Sequence, residues 1–227
     1  MPMTRRYETA WLRPSGDVAT STHLGPAISL FESAFSALAR GALVQTETGP
    51  IAVEDLIPGM RVTTAEGRTE PILWIGSMMA YPAQMPSDTV SATLTRITAD
   101  ALGHGKPQSD LILGGGARLL SRDTGCQMPA RQGKAYVPAR AFVDGCNVFE
   151  IRPGAPVMTY HLALARQGTL RVMGVELESY HPGVHIAQTV EPRLLSLFTA
   201  LFPHLDDLEG FGPVAYPQRP LCGTEAF

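Results

Sequence analysis

Apolar residues in this chain recur mostly at every second position, in short runs separated by glycine and proline. Only two segments show helical spacing. In residues 26–40, Ile28, Phe31, Phe35 and Leu38 recur at intervals of three and four, which predicts a short amphipathic helix docked on a sheet. After Glu191-Pro192, residues Leu194, Leu195, Leu197, Phe198, Leu201 and Phe202 repeat at helical spacing until Pro203, which predicts a C-terminal helix of about three turns.

Between these segments the period is that of strands. Residues 42–46 and 51–53 read as a hairpin around Thr48-Gly49-Pro50. Pro58-Gly59 has the chemistry of a type II turn, since proline presets the first central φ and glycine supplies the positive second one. Strands are then predicted at 60–64, at 71–76 after the Ala65-Glu66-Gly67 turn, and at 94–99. Two more, 110–113 and 117–120, flank Gly114-Gly115-Gly116, and the last three fall at 135–138, 147–151 and 157–164. The first thirty or so residues carry turn clusters at Pro14-Ser15-Gly16 and Gly25-Pro26 and read as an extension packed on the core. Strands at this density make the chain mainly β.

Composition limits the function classes. With 44% hydrophobic and 17% charged residues, the 227-residue chain is globular and long enough for a proper core, and no apolar run could span a bilayer. A net charge of −3, from 18 basic and 21 acidic residues without a basic stripe, predicts no nucleic-acid partner. The paired Arg5 and Arg6 precede no apolar core, so the N-terminus is not read as a secretory signal. Cys126, Cys146 and Cys222 are odd in number and have no metal-ligand spacing, so they are expected to be free thiols in a reducing cytoplasm. The expectation is a cytoplasmic protein with no cofactor and no metal. Its protein partner is unidentified, and it makes no contact with membrane.

The segment Ala37 to Val62 resembles the opening of a bacterial Hint (hedgehog/intein) domain through Gly41, Leu43, Gly49, Val53, Glu54, Asp55, Leu56, Pro58, Gly59 and Val62. Pro71 to Gly76, Tyr160-His161-Leu162 and Glu178 to Gly183 are similar to later parts of the same family. The resemblance implies a Hint-like β domain over 35–184. An N-terminal extension with a short helix would occupy 1–34, and a C-terminal helix with an irregular tail 185–227. It also implies a reaction, in which a hydroxyl or thiol at the first position attacks the preceding carbonyl, helped by a Thr/Ser-x-x-His segment and a later histidine.

The residues here depart from that pattern at every catalytic position. Ala37 stands where the nucleophile belongs, Gly114 to Ala117 where the hydroxyl-and-histidine segment belongs, and Gln167 where the later histidine follows an arginine. The expectation is therefore a degenerate domain without autoprocessing, serving as a binding or structural module. The alternative is an active self-processing domain that uses Ser36, although Ser36 is expected on the outer face of the 26–40 helix. An unrelated β-rich hydrolase finds no Gly-x-Ser-x-Gly or His-Glu-x-x-His to support it.

Other features receive plainer readings. His181 and His185 are four apart, but Pro182-Gly183 argues for a turn with one exposed histidine rather than a ligand pair. His161, inside an apolar strand, is read as a hydrogen-bonded core residue. Gly114 to Gly116 could cradle an anion with backbone N–H groups but is read as a structural loop. Glu54 and Asp55 are expected to cap the following turn. The apolar face of the 191–202 helix is expected to pack on the β core, with a homo-oligomer contact as the alternative.

Overall fold

The computed structural model describes residues 4–81, 93–122 and 133–219; most of the polar stretch at 80–92, together with Cys126 and Cys222, lies outside the described residues. Among the described residues, fifteen strands form antiparallel pairs, with the central path running β11-β10-β15-β14-β4-β6-β7-β13-β3-β9-β8-β12. The longest strand, β7 (Thr69–Ala80), pairs with β13 (Val157–Leu164) along most of its length. The predicted strands are present: β4 (Leu43–Thr46), β5 (Gly49–Ala52), β6 (Arg61–Thr63), β8 (Leu94–Ile97), β9 (Leu111–Leu113), β10 (Arg118–Ser121), β11 (Ala135–Pro138) and β12 (Val148–Ile151). Gly59 adopts φ +97 and the Met60 N–H donates to the Ile57 carbonyl at 3.1 Å, as a type II turn requires.

Three features differ from the sequence reading or go beyond it. The turn-rich N-terminal extension is built of strands: β1 (Thr4–Leu12) and β2 (Val18–Pro26) form a hairpin whose turn is the Pro14-Ser15-Gly16 cluster, and β1 adds to the sheet along Trp74 to Met78 of β7. Its inward face mixes Tyr7 with the polar Thr9, both buried, which weakens the alternation that reveals a strand in sequence.

The predicted 26–40 helix is only α1 (Ser29–Ser33). Beyond it the backbone finds tertiary partners, since the Ala37 N–H donates to the Tyr160 carbonyl at 3.0 Å and Leu38–Ala39 becomes β3 against β13. Phe31, Phe35 and Leu38 are still buried as their spacing suggested. Finally, β14 (Thr169–Val172) and β15 (Val175–Glu178) form a hairpin that was not foreseen. Its turn, Met173-Gly174, has both residues at positive φ, and methionine is not a residue that advertises such a turn.

The C-terminal pattern holds but is shared between two structures. A one-turn helix, α2 (Ile186–Thr189), leads into α3 (Pro192–Thr199), and proline opens α3 where its missing N–H costs nothing. The chain then tightens, with Leu201 and Phe202 donating to the carbonyls of Phe198 and Thr199, so the apolar face continues past the helix. Phe198, Leu201 and Phe202 are fully buried, whereas Leu197 is 55% exposed.

The interior divides into two clusters. An aliphatic one, including Val44, Val62, Ile72, Leu113, Leu162 and Leu177, fills the strand-built domain. An aromatic one joins the flanking segments to it: Tyr7, Phe31 and Phe35 from the N-terminal side meet Phe198, Phe202 and Phe211 from the C-terminal side around Trp74 and Tyr180. The Trp74 indole N–H donates to the Leu201 carbonyl at 2.8 Å, a buried bond between residues 127 apart in sequence. No helix among the described residues is long and apolar enough to cross a membrane.

Replacing Trp74 by Phe removes ring volume and strands that carbonyl. Trp74→Phe is expected to lower unfolding free energy by about 2–4 kcal/mol, seen as a lower urea midpoint at unchanged slope.

Candidate functional site

The chain leaves α1 at Ser33 and runs through Ala34, Phe35 and Ser36 into β3, so the Ser36–Ala37 peptide lies where a strand-paired segment begins. Strand β13 flanks one side of this segment. Its alternation sends Thr159 and His161 to the same face. The Thr159 hydroxyl is 3.1 Å from the Phe35 carbonyl and 3.2 Å from that of Met78, and can donate to either, while His161 Nδ1 lies 3.1 Å from the Ser33 carbonyl.

The glycine loop between β9 and β10 covers the other side. Gly114 N–H donates to the Ala37 carbonyl at 2.9 Å, and Gly116 N–H donates to the Ser36 carbonyl at 2.7 Å, with the Ser36 hydroxyl oxygen a second acceptor at 3.3 Å. This approach is possible only without side chains. A Cβ at Gly114 would sit 2.3 Å from the Ser36 carbonyl oxygen, and one at Gly116 would sit 2.2 Å from that of Ser33. The loop is structural, as expected, and its glycines are fixed by backbone-to-backbone contact.

The residues singled out from sequence therefore separate into two groups. Ala37, Gly114 and Ser36 converge on one peptide, and Ala117 closes the same loop through its N–H to the Gly114 carbonyl. Ser36 is 1% exposed, so its expected place on an outer helix face is wrong, because the helix ends before it and the chain turns inward. Gln167 is occupied elsewhere. Its Nε2 donates to Glu178 Oε1 at 3.2 Å and to the Ser179 carbonyl at 3.3 Å, and its Oε1 accepts from the Ala215 N–H at 2.7 Å.

His181 is buried against the Gly212 carbonyl at 2.9 Å, and His185 is exposed, so the histidine pair does not converge. Glu54 reaches back to the Gly41 N–H at 2.8 Å instead of capping the turn after it.

Sequence reasoning missed the groups that crowd this region from other strands. Glu178 is 5% exposed, accepts from Gln218 Nε2 at 2.8 Å and lies 3.6 Å from the Arg118 guanidinium. Burial outweighs both partners and pushes its carboxyl up to about 8. Burial likewise holds His161 down to about 4, against the opposing pull of the Ser33 carbonyl, so the imidazole is neutral at physiological pH. Period-two reading of β13 would have put Thr159 and His161 together, but nothing local links either to Glu178.

These shifts set a pH profile for stability. His161, and His204 also at about 4, contribute stability that is complete above the unfolded value of 6.5 and is lost as pH falls through about 4. The contribution of Glu178 is complete below 4.5 and is lost as pH rises through about 8. Two histidines outweigh one carboxyl on the acid side, so stability is expected to peak near pH 6.5 and decline toward pH 8. In Glu178→Gln the alkaline decline should disappear from denaturant midpoints measured across that range.

Comparison with known proteins follows the same segment. A family model described as the Hint domain matches residues 36–184. Among solved structures, a bacterial intein-like domain from Clostridium thermocellum is 14% identical, with 64% of this chain and 99% of that one covered and a TM-score of 0.44. A gp41-1 intein carrying three substitutions is 11% identical over the same shares, with a TM-score of 0.36. No curated protein matches. The family model covers well over half of the chain, and the protein belongs to the Hint domain family.

Proposed function

We propose that this Hint-fold domain no longer cleaves itself and serves as a binding or structural module. The observation that carries the reading is the contact between Gly114 and the Ser36 carbonyl. An acyl shift at the Ser36–Ala37 peptide needs an attacking oxygen or sulfur on residue 37 and a donor to the leaving nitrogen. Residue 37 carries a methyl group that is 2% exposed in the aliphatic core. No hydroxyl-bearing side chain could be installed at position 114 without moving the loop, because its first atom would lie 2.3 Å from the carbonyl oxygen. Ala117, where an imidazole would be needed, is 1% exposed in the same core. The Gly116 N–H still polarises the Ser36 carbonyl, but polarisation without a nucleophile produces no reaction. The reading includes a reducing, cytoplasmic setting; among the described residues the Cys146 thiol is exposed and in no disulfide.

One contact favours a second reading, in which Ser36 attacks the Phe35 carbonyl. The Thr159 hydroxyl is placed to donate to that oxygen, but it is shared with Met78, and the nearby imidazole of His161 is engaged with Ser33. The Ser36 oxygen therefore has a polarised target and no base.

Intact mass of the purified protein, with and without thiol or hydroxylamine, separates the two readings. Full-length mass throughout is expected. Ala37→Cys should also remain intact, because the cysteine alone restores neither donor. Hydroxylamine-dependent fragments divided beside Ser36, and lost in Ser36→Ala, would instead establish the serine as nucleophile. Gly114→Thr, which forces a side chain against the Ser36 carbonyl, is expected to destabilise the fold by about 1–3 kcal/mol in urea titrations.

A further inference from the structure

Beside the Ser36–Ala37 segment lies a cavity of about 320 Å³ with an unusual balance of charge. Its wall includes Gly116, Arg118, Arg140, His161 and Glu178. Leu30, Pro182 and Gln218 line both this cavity and an adjoining groove of about 830 Å³. The groove is bounded chiefly by apolar side chains, with Ile186 and Val190 on the α2 side and Val214 and Tyr216 on the C-terminal segment. The two adjoining spaces give the cleft a polar end, lined by charged groups, and a mainly apolar end.

The polar end is short of negative charge. Glu178 is its carboxylate, but Gln167 and Gln218 already donate to its Oε1, and burial keeps it mainly protonated at neutral pH. His161 and His181 are buried, and burial lowers the pKa of each, so neither adds charge at that pH. Among the described residues, the charges left at the cavity wall are the guanidinium groups of Arg118 and Arg140. Arg118 has its Glu178 neighbour at 3.6 Å and donates to the Arg219 carbonyl at 3.2 Å. Arg140 is exposed and forms no ion pair among the described residues. A guanidinium presents a planar fork that matches a carboxylate, and the adjoining apolar groove favours an anion that carries an apolar body over a compact, strongly hydrated one such as phosphate.

We propose that the cleft binds a monocarboxylate with an apolar body, the carboxylate engaging Arg140 and Arg118 and the body lying in the groove between α2 and residues 214–218. The inference rests on the reading of this domain as a binding module and names its ligand class. The same chemistry is offered by a free organic acid or by the carboxyl end of an apolar peptide. The spacious groove accommodates either, since sites for small ligands commonly measure roughly 300–1,000 Å³.

Calorimetric titration of the full chain at pH 7 tests the proposal with four probes: octanoate, acetyl-Ala-Val-Leu with a free carboxyl end, the same peptide as its amide, and inorganic phosphate. One-to-one binding of octanoate, of the free-acid peptide, or of both is expected, and which of them binds identifies the source. The amide and phosphate should be silent. Arg140→Gln should weaken binding by about tenfold or more without changing the thermal midpoint, because the exposed Arg140 side chain forms no ion pair among the described residues and its backbone bond from the Val143 N–H is kept. Val190→Trp, which fills the groove, should weaken binding too. Affinity should fall above about pH 8, where Glu178 ionises against the ligand, and that fall should vanish in Glu178→Gln.

Silence from both carboxylates, equal binding of the amide, a response to phosphate alone, or unchanged affinity in Arg140→Gln would overturn the proposal. A failure of this kind appears as a flat or misplaced titration in protein of full-length mass, whereas failure of the non-cleaving reading appears as fragments.

Discussion

Two stretches of backbone lie against each other with no side chain between them: the glycine loop at 114–116 and the segment from Ser33 to Ala37. Carbonyl oxygens of Ser33 and Ser36 occupy the positions that Cβ atoms at Gly116 and Gly114 would need. The gain is a pair of short N–H donations into Ser36 and Ala37, which pin the entry of β3 between β13 and β9. In a buried setting unpaired carbonyls are costly, so this arrangement satisfies groups that water cannot reach. It also leaves no room for a side chain at Gly114 or Gly116.

The flanking segments depend on a different device. Residues before Ser36 and after Val184 carry the aromatic rings that close over Trp74 and Tyr180, and neither segment could bury those rings alone. Phe31 meets Phe198 edge to face at 5.5 Å, and Tyr180 stacks on Phe202 at 5.3 Å. Such pairs add modestly to the area they bury, but they lock relative orientation. One consequence is that the C-terminal segment passes Gln167, Glu178 and Tyr136. The Tyr136 N–H donates to the Pro217 carbonyl, and the Ala215 N–H donates to Gln167. The outer wall of the groove is thus built by residues outside the matched family segment.

Burial gives the polar groups of the cleft their character. Glu178 is held high and His161 low by the same loss of water, so a carboxyl that would be ionised in neutral solution stays mainly protonated, and the imidazole stays neutral well below its ordinary range. Their hydrogen bonds go to Gln167, Gln218 and Ser33, which fixes them without ionising them. The Arg140 side chain is exposed and forms no ion pair among the described residues.

Period and turn chemistry were enough to read most of the strands from β4 to β13, the Pro58-Gly59 turn and the apolar face ending at Phe202, because these depend on alternation and on local φ preferences that each residue carries with it. That Ala37 carries no hydroxyl or thiol, and Gly114 to Ala117 no hydroxyl or imidazole, was legible too, since a residue's functional groups do not depend on its fold. What sequence could not supply was the competition among partners. Helical spacing from Ile28 to Leu38 gave way after Ser33 because Tyr160 and Thr159 offered the backbone better bonds from more than a hundred residues away. The Thr4–Pro26 hairpin needed the edge of β7, and the Met173-Gly174 turn needed strands that would tolerate its positive φ angles. The cleft, with Arg118, Arg140, His161 and Glu178 drawn from separate elements, exists only after the sheet has closed, because its charge balance is set by burial and by neighbours that no local pattern brings together.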